Sequence, residues 1–129
     1  MRALNRITMS TKLIILFEDD LNLRQSFTLI LQRAGYHVFA TDSIAKTISI
    51  IQSGDCHLII ADYDFPETIN VLLPYSQRIN HQIPIVILTD QSTSELVDRD
   101  KVKNVHHLKK LIAPERLLDC ISTILEKKN

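Results

Sequence analysis

The stretch Leu58-Ile59-Ile60-Ala61-Asp62-Tyr63-Asp64-Phe65-Pro66 constrains the fold of this chain more than any other. An apolar run with no polar interruption reads as a strand buried on both faces, the pattern of a parallel strand covered by helices. Asp64 and Pro66 rule out continuing the ladder. Asp62 is therefore expected at the carboxyl end of the strand, where open α/β sheets place their ligands.

The rest of the chain repeats that theme. Lys12 to Phe17 is a first buried strand ending in Glu18-Asp19-Asp20, and Asp20 suits the N-cap of the helix that follows. Leu23, Phe27, Ile30, Leu31 and Ala34 line one face of that helix, and Gly35 closes it. Tyr36 to Ala40 forms a weaker second strand, suited to a flank of the sheet. Thr41-Asp42-Ser43 can cap a second helix lined by Ile44, Ile48 and Ile51 and ended by Gly54. Beyond Asp62, Ile69, Leu72, Leu73 and Ile79 fall at helical spacing around Pro74, so the third helix is expected to be kinked or to start late. Pro84 to Thr89 is a fourth buried strand, Ser92 to Lys103 a thin fourth helix, and Asn104 to Leu108 a short fifth strand followed by Lys109-Lys110. Pro114 starts a last helix, with Leu117, Leu118, Ile121, Ile124 and Leu125 on its buried face. Five strands alternating with five helices imply a three-layer α/β domain: a parallel sheet reached by right-handed crossovers, with helices on both faces. Residues 1–11 have no periodicity and read as a flexible arm ahead of a single domain over 12–129.

Charge narrows the function. Fifteen basic and fifteen acidic side chains cancel, which leaves no field to draw the domain to nucleic acid or to an anionic membrane. With no signal-peptide pattern and no apolar run long enough for a bilayer, a cytoplasmic location is expected. Cys56 and Cys120 lack metal-ligand spacing and read as small hydrophobes.

Four strand ends carry polar groups: Glu18-Asp19, Asp62, Thr89 and Lys110. In a parallel sheet these ends share one edge and can converge. Carboxylates held close raise one another's pKa unless a cation sits among them, and hard oxygen ligands at a loop edge suit magnesium, which keeps waters and accepts a phosphate oxygen. A hydroxyl and an ammonium opposite would hold the remaining phosphoryl oxygens. The arrangement suits phosphoryl transfer onto a carboxylate.

Taken together and in order, several stretches resemble the receiver domain of two-component response regulators. They are Leu16-Phe17-Glu18-Asp19-Asp20, Leu58-Ile59-Ile60-Ala61-Asp62 with Pro66, Ile85-Val86-Ile87-Leu88-Thr89, and Lys110 with Pro114-Glu115 and Leu117-Leu118. The resemblance implies a flavodoxin-like sheet of order 2-1-3-4-5. It implies Asp62 as phosphoacceptor, and Glu18, Asp19, Asp62 and the backbone carbonyl of Asp64 around Mg²⁺. Thr89 would grip a phosphoryl oxygen and Lys110 neutralise its charge, with Thr89 and His107 at the switch positions. It further implies a histidine kinase or phosphotransfer protein as donor, self-catalysed phosphorylation and dephosphorylation without enzymatic turnover, and homodimer formation as one output.

The chain departs from that family pattern at several places. No glycine follows Pro66 at the usual distance, Asp90 replaces a tiny residue after Thr89, and His107 stands in the aromatic switch position. Leu111 replaces the proline that follows the lysine through a cis bond; since a cis peptide costs ~3 kcal/mol without proline, a trans path is expected there. Ala113 sits where a capping residue is common, a loss of about 1 kcal/mol. Of the two adjacent lysines, Lys110 is the one whose register places Pro114 at the helix start, so Lys110 is expected to face the pocket. These departures support a second reading, a pseudo-receiver that keeps the fold as a constitutive interaction surface. A third reading takes Asp62-Tyr63-Asp64 for the D-x-D motif of haloacid-dehalogenase-type phosphatases. That reading is weakest, because Pro66 replaces the Thr or Val of that motif and the acidic pair precedes the lysine. His106 and His107, adjacent on a strand, point to opposite faces and are not expected to share a metal.

Overall fold

A computed structural model describes residues 12–79, 83–90 and 104–126. The expected arm over 1–11, the thin helix over 92–103 and the lysines Lys127 and Lys128 lie outside the described residues. Within them are the strands β1 (Leu13–Phe17), β2 (His37–Thr41), β3 (Leu58–Asp62), β4 (Ile85–Thr89) and β5 (Val105–Lys109). The helices are α1 (Leu21–Arg33), α2 (Ile44–Ser53), α3 (Leu73–Ile79) and α4 (Pro114–Glu126). All strand pairs are parallel, and their order is β2-β1-β3-β4-β5, the order that the receiver-domain resemblance implied.

Strand alternation builds two cores, one on each face of the sheet. Ile14, Leu16, Leu58, Ile60, Val86 and Leu88 pack with Phe27 and Leu31 of α1 and with Leu117 and Ile121 of α4. Their neighbours Ile15, Phe17, Ile59, Ala61, Ile85 and Ile87 pack on the other side with Ile51 of α2 and with Leu72. Because both faces are covered, β3 and β4 are buried along their whole length, and each large side chain contributes about 2 kcal/mol. β2, at one edge, is only half-buried over most of its length. Cys56 is buried and Cys120 is half-buried, and both are free thiols.

Local signals set the helix ends. The Asp20 carboxylate accepts the Leu23 N–H at 3.1 Å, and the Ser43 hydroxyl accepts the Lys46 N–H at 3.1 Å, so both α1 and α2 have side-chain N-caps. At the end of α1, Gly35 donates to the Gln32 carbonyl and Tyr36 to the Leu31 carbonyl. This paired closure needs a left-handed residue, and Gly35 has φ 100°. Gly54 caps α2 at φ 83°.

The third helical stretch is the irregular one. It opens at Pro66, directly after a short turn, and a π-helical segment over Thr68–Leu72 precedes α3. The Leu73 N–H reaches back five residues to the Thr68 carbonyl. Pro74 has no N–H to give and its ring would meet the Asn70 carbonyl in a regular helix; the wide turn just before it absorbs both problems. The sequence leaves open a kinked helix or one that starts late; the helical stretch opens at Pro66 through a π-helical distortion, and its regular α part begins only at Leu73, which puts Pro74 in the first turn.

A candidate phosphoacceptor site at the carboxyl edge of the sheet

Register assembles the site. Phe17 pairs with Ala61 and Asp62 with Leu88, so Glu18 and Asp62 stand one step beyond the last apolar positions of adjacent strands. Both are buried, Glu18 at 1% exposed and Asp62 at 3%. Asp19, next along the chain, is exposed. One carboxylate oxygen from each of Glu18, Asp19 and Asp62 lies within 4.8 Å of the others.

Lys110 closes the group from β5. Its Nζ lies 3.1 Å from Asp62 Oδ1, and its N–H donates to the Thr89 carbonyl at 2.9 Å. Leu88 pairs with Leu108 and Thr89 with Lys109; alternation therefore turns Lys110 to the same face as Asp62, while Lys109 is exposed. The Lys110–Leu111 peptide is trans, and the lysine still reaches the acceptor. Leu111 itself is 93% exposed.

The other positions read from the sequence are placed as follows. Asp64 is exposed, and its N–H donates to Asp62 Oδ1 at 3.0 Å, bringing its peptide to the acceptor. Thr89 ends β4 fully buried, one residue beyond the partner of Asp62. Asp90 is exposed. His107 is half-buried and pairs with Ile87, while His106 pairs with Val86; those two partners belong to opposite cores, so the histidines face opposite ways. Glu18, Asp19 and Asp62 form the one acidic or histidine cluster of metal-binding geometry among the described residues.

The electrostatics of the cluster suit a bound cation. Burial pushes the Glu18 carboxyl up to about 7, and the Asp62 carboxylate adds to the rise, against the hydrogen bond from Asp20 N–H and the Lys110 charge. Burial alone would lower the Lys110 ammonium. Its hydrogen bond to Asp62 and the charges of Asp62, Glu18 and Asp90 outweigh that and hold it above its ordinary value. Glu18 Oε2 accepts the Asp20 N–H at 3.2 Å, but Glu18 Oε1 is buried with no hydrogen-bond partner. A buried carboxylate oxygen without a donor costs 1–3 kcal/mol or more. Beside two further carboxylates, such an oxygen fits a hard divalent ion.

Two contributors have no signature in the sequence. Arg24 Nη1, on α1, donates to the Glu18 carbonyl at 2.7 Å. The Phe65 ring stacks on Phe17, with centroids 4.3 Å apart and planes 13° apart. Neither contact involves a group that the chemistry itself demands, so residue type could not announce it.

The model of the response regulator receiver domain matches residues 14–122. The chain belongs to this family. No curated protein matches it in sequence. Among solved structures it is similar to a response regulator receiver protein from Sinorhizobium medicae, with TM-score 0.79, 23% identity, and coverage of 94% of this chain and 99% of that one. A CheY-like receiver domain protein from Methanospirillum hungatei gives TM-score 0.77 at 20% identity, over 92% of this chain and 97% of that one. The response regulator protein TrrA from Thermotoga maritima, solved in complex with Mg²⁺ and BeF, gives TM-score 0.73 at 19% identity over 88% and 98%. At these identities the likeness is one of fold. This receiver domain has the fold's strand order and an acidic cluster at the expected edge, and no helix among its described residues is long and apolar enough to cross a membrane.

Proposed function

We propose that this receiver domain accepts a phosphoryl group on Asp62 from a histidine kinase or phosphotransfer protein and thereby changes a protein-interaction surface. The observation that carries the reading is the Lys110 ammonium 3.1 Å from Asp62 Oδ1, on a carboxylate clustered with Glu18 and Asp19. The residues that would hold Mg²⁺ are Glu18, Asp19, Asp62 and the carbonyl of Asp64. When bound, the ion supplies charge neutralisation to the phosphoryl oxygens.

The protein's own groups do the rest. An Asp62 oxygen attacks phosphorus, the bond from phosphorus to the donor imidazole nitrogen breaks, and that nitrogen keeps the electron pair and takes a proton. Lys110 is already at the acceptor and meets the charge that develops on the phosphoryl oxygens, a stabilisation that needs no rearrangement. Thr89 would donate its hydroxyl to another of those oxygens. Burial of Asp62 keeps water scarce, so positioning and charge complementarity dominate.

The test is incubation with a small-molecule phosphodonor, with and without a chelator. Formation of a hydroxylamine-sensitive acyl phosphate that chelation abolishes supports the reading. No acyl phosphate, in a protein shown to bind Mg²⁺, would favour the constitutive pseudo-receiver.

A further inference from the structure

We propose that Phe65 is a positioning residue for the metal site: stacked on Phe17, it ties the turn carrying Asp64 to the strand end carrying Glu18 and Asp19. The proposal rests on the reading of that acidic cluster as a Mg²⁺ site. Phe17 is fully buried and is the last residue of β1, immediately before Glu18. Phe65 is half-buried and follows Asp64 directly. Each ring is therefore one or two residues from a ligand, and the nearly parallel stack at 4.3 Å joins the two segments.

The peptide unit explains why the direction of the Asp64 carbonyl depends on Phe65. The Asp64 C=O and the Phe65 N–H belong to one planar group and point opposite ways. The Phe65 N–H donates to the Asp62 carbonyl at 3.2 Å, and the Phe65 carbonyl accepts the Thr68 N–H at 2.8 Å. Fixing the Phe65 ring thus fixes the plane that carries the Asp64 oxygen. Asp64 is exposed and cannot be held by its own side chain packing. The turn is also short, since the helical stretch opens at Pro66. In this chain the aromatic stack takes over the task of setting that loop.

The experiment compares Phe65→Leu, Phe65→Tyr and Phe27→Leu with the wild type. Phe27 belongs to the core on the other face of the sheet and serves as a control for lost stability. Mg²⁺ affinity is measured by calorimetry, and hydrogen exchange at the residue-65 amide, which shares the peptide plane of the Asp64 carbonyl, is measured in metal-free protein. Phe65→Leu should weaken Mg²⁺ binding about fivefold, the size expected for one aromatic stack, and speed exchange at the residue-65 amide by a similar factor. Phe65→Tyr, which keeps the ring, should restore both. Phe27→Leu should lower the thermal midpoint and leave both readouts unchanged. Wild-type binding with an unimpaired Phe65→Leu overturns this proposal alone, as does a Phe27→Leu variant that mimics Phe65→Leu. A wild-type protein that binds no Mg²⁺ overturns the reading of the cluster together with the proposal.

Discussion

Replacing Lys110 by alanine removes an ammonium 3.1 Å from Asp62 Oδ1, in a pair whose side chains are 15% and 4% exposed. At an effective dielectric of about 20, two unit charges at that distance attract by ~5 kcal/mol. Part of that offsets the desolvation of both groups, and measured values for hydrogen bonds to charged groups cluster at about 1.5–3 kcal/mol. If the developing phosphoryl charge is met to the same degree, Lys110→Ala should slow phosphorylation about 10- to 100-fold. Lys109 is exposed and faces away, so Lys109→Ala should change the rate by less than about threefold. The assay follows the phosphorylated fraction against time with a small phosphodonor at fixed, saturating Mg²⁺, and then its decay after donor removal. A slower Lys109→Ala than Lys110→Ala, or two variants that both match the wild type, would refute the argument from strand register.

Other consequences follow from the same geometry. Glu18 is raised from 4.5 to about 7; a raised folded-state pKa gives stability that is present below the unfolded value and lost as pH rises through the folded one. Metal-free protein should therefore lose roughly 3 kcal/mol between pH 4.5 and pH 7 from this group, and added Mg²⁺ should raise the thermal midpoint more above that window than below it. Asp90 is exposed yet felt by Lys110, so Asp90→Ala should speed reaction with dianionic donors about two- to fivefold at low salt, an advantage that high salt erases. Beryllofluoride with Mg²⁺ should shift resonances near Asp62 and Thr89 more than those from Val105 to Leu118, because His107 and Leu111 replace the residues expected to relay the change. Large shifts throughout β5 and the start of α4 would count against that weakened switch.

Much of this fold is legible in the chain because three strands are uninterrupted apolar runs. Leu13–Phe17, Leu58–Ala61 and Ile85–Leu88 can be buried only between helical layers, and the polar residues that end them mark the functional edge. The choice of Lys110 over Lys109 was open to the same logic, since alternation along a strand leaves one of two neighbours facing the pocket. The third helix was less legible. Pro74 announces an irregularity, but its form depends on which carbonyl the Leu73 N–H finds, a matter of packing on β3 and β4. Thr68 and Ser76, polar by type, are buried there with hydroxyls that have no hydrogen-bond partner, which patterning by residue class would not place inside. Arg24 and Phe65 are illegible for a different reason. They act on a backbone carbonyl and on another ring, and contacts of that kind leave no spacing to read.

On the proposed reading Asp62 is the phosphoacceptor and its reaction needs Mg²⁺. Peptide-level mass spectrometry of wild type and Asp62→Asn, each incubated with a small phosphodonor with and without Mg²⁺, tests it most directly. The predicted result is one phosphoryl group on the peptide containing Asp62 in the wild type with Mg²⁺, and none in the other three samples. An unmodified wild-type protein under conditions where Mg²⁺ binding is confirmed, or equal modification of Asp62→Asn, would contradict it.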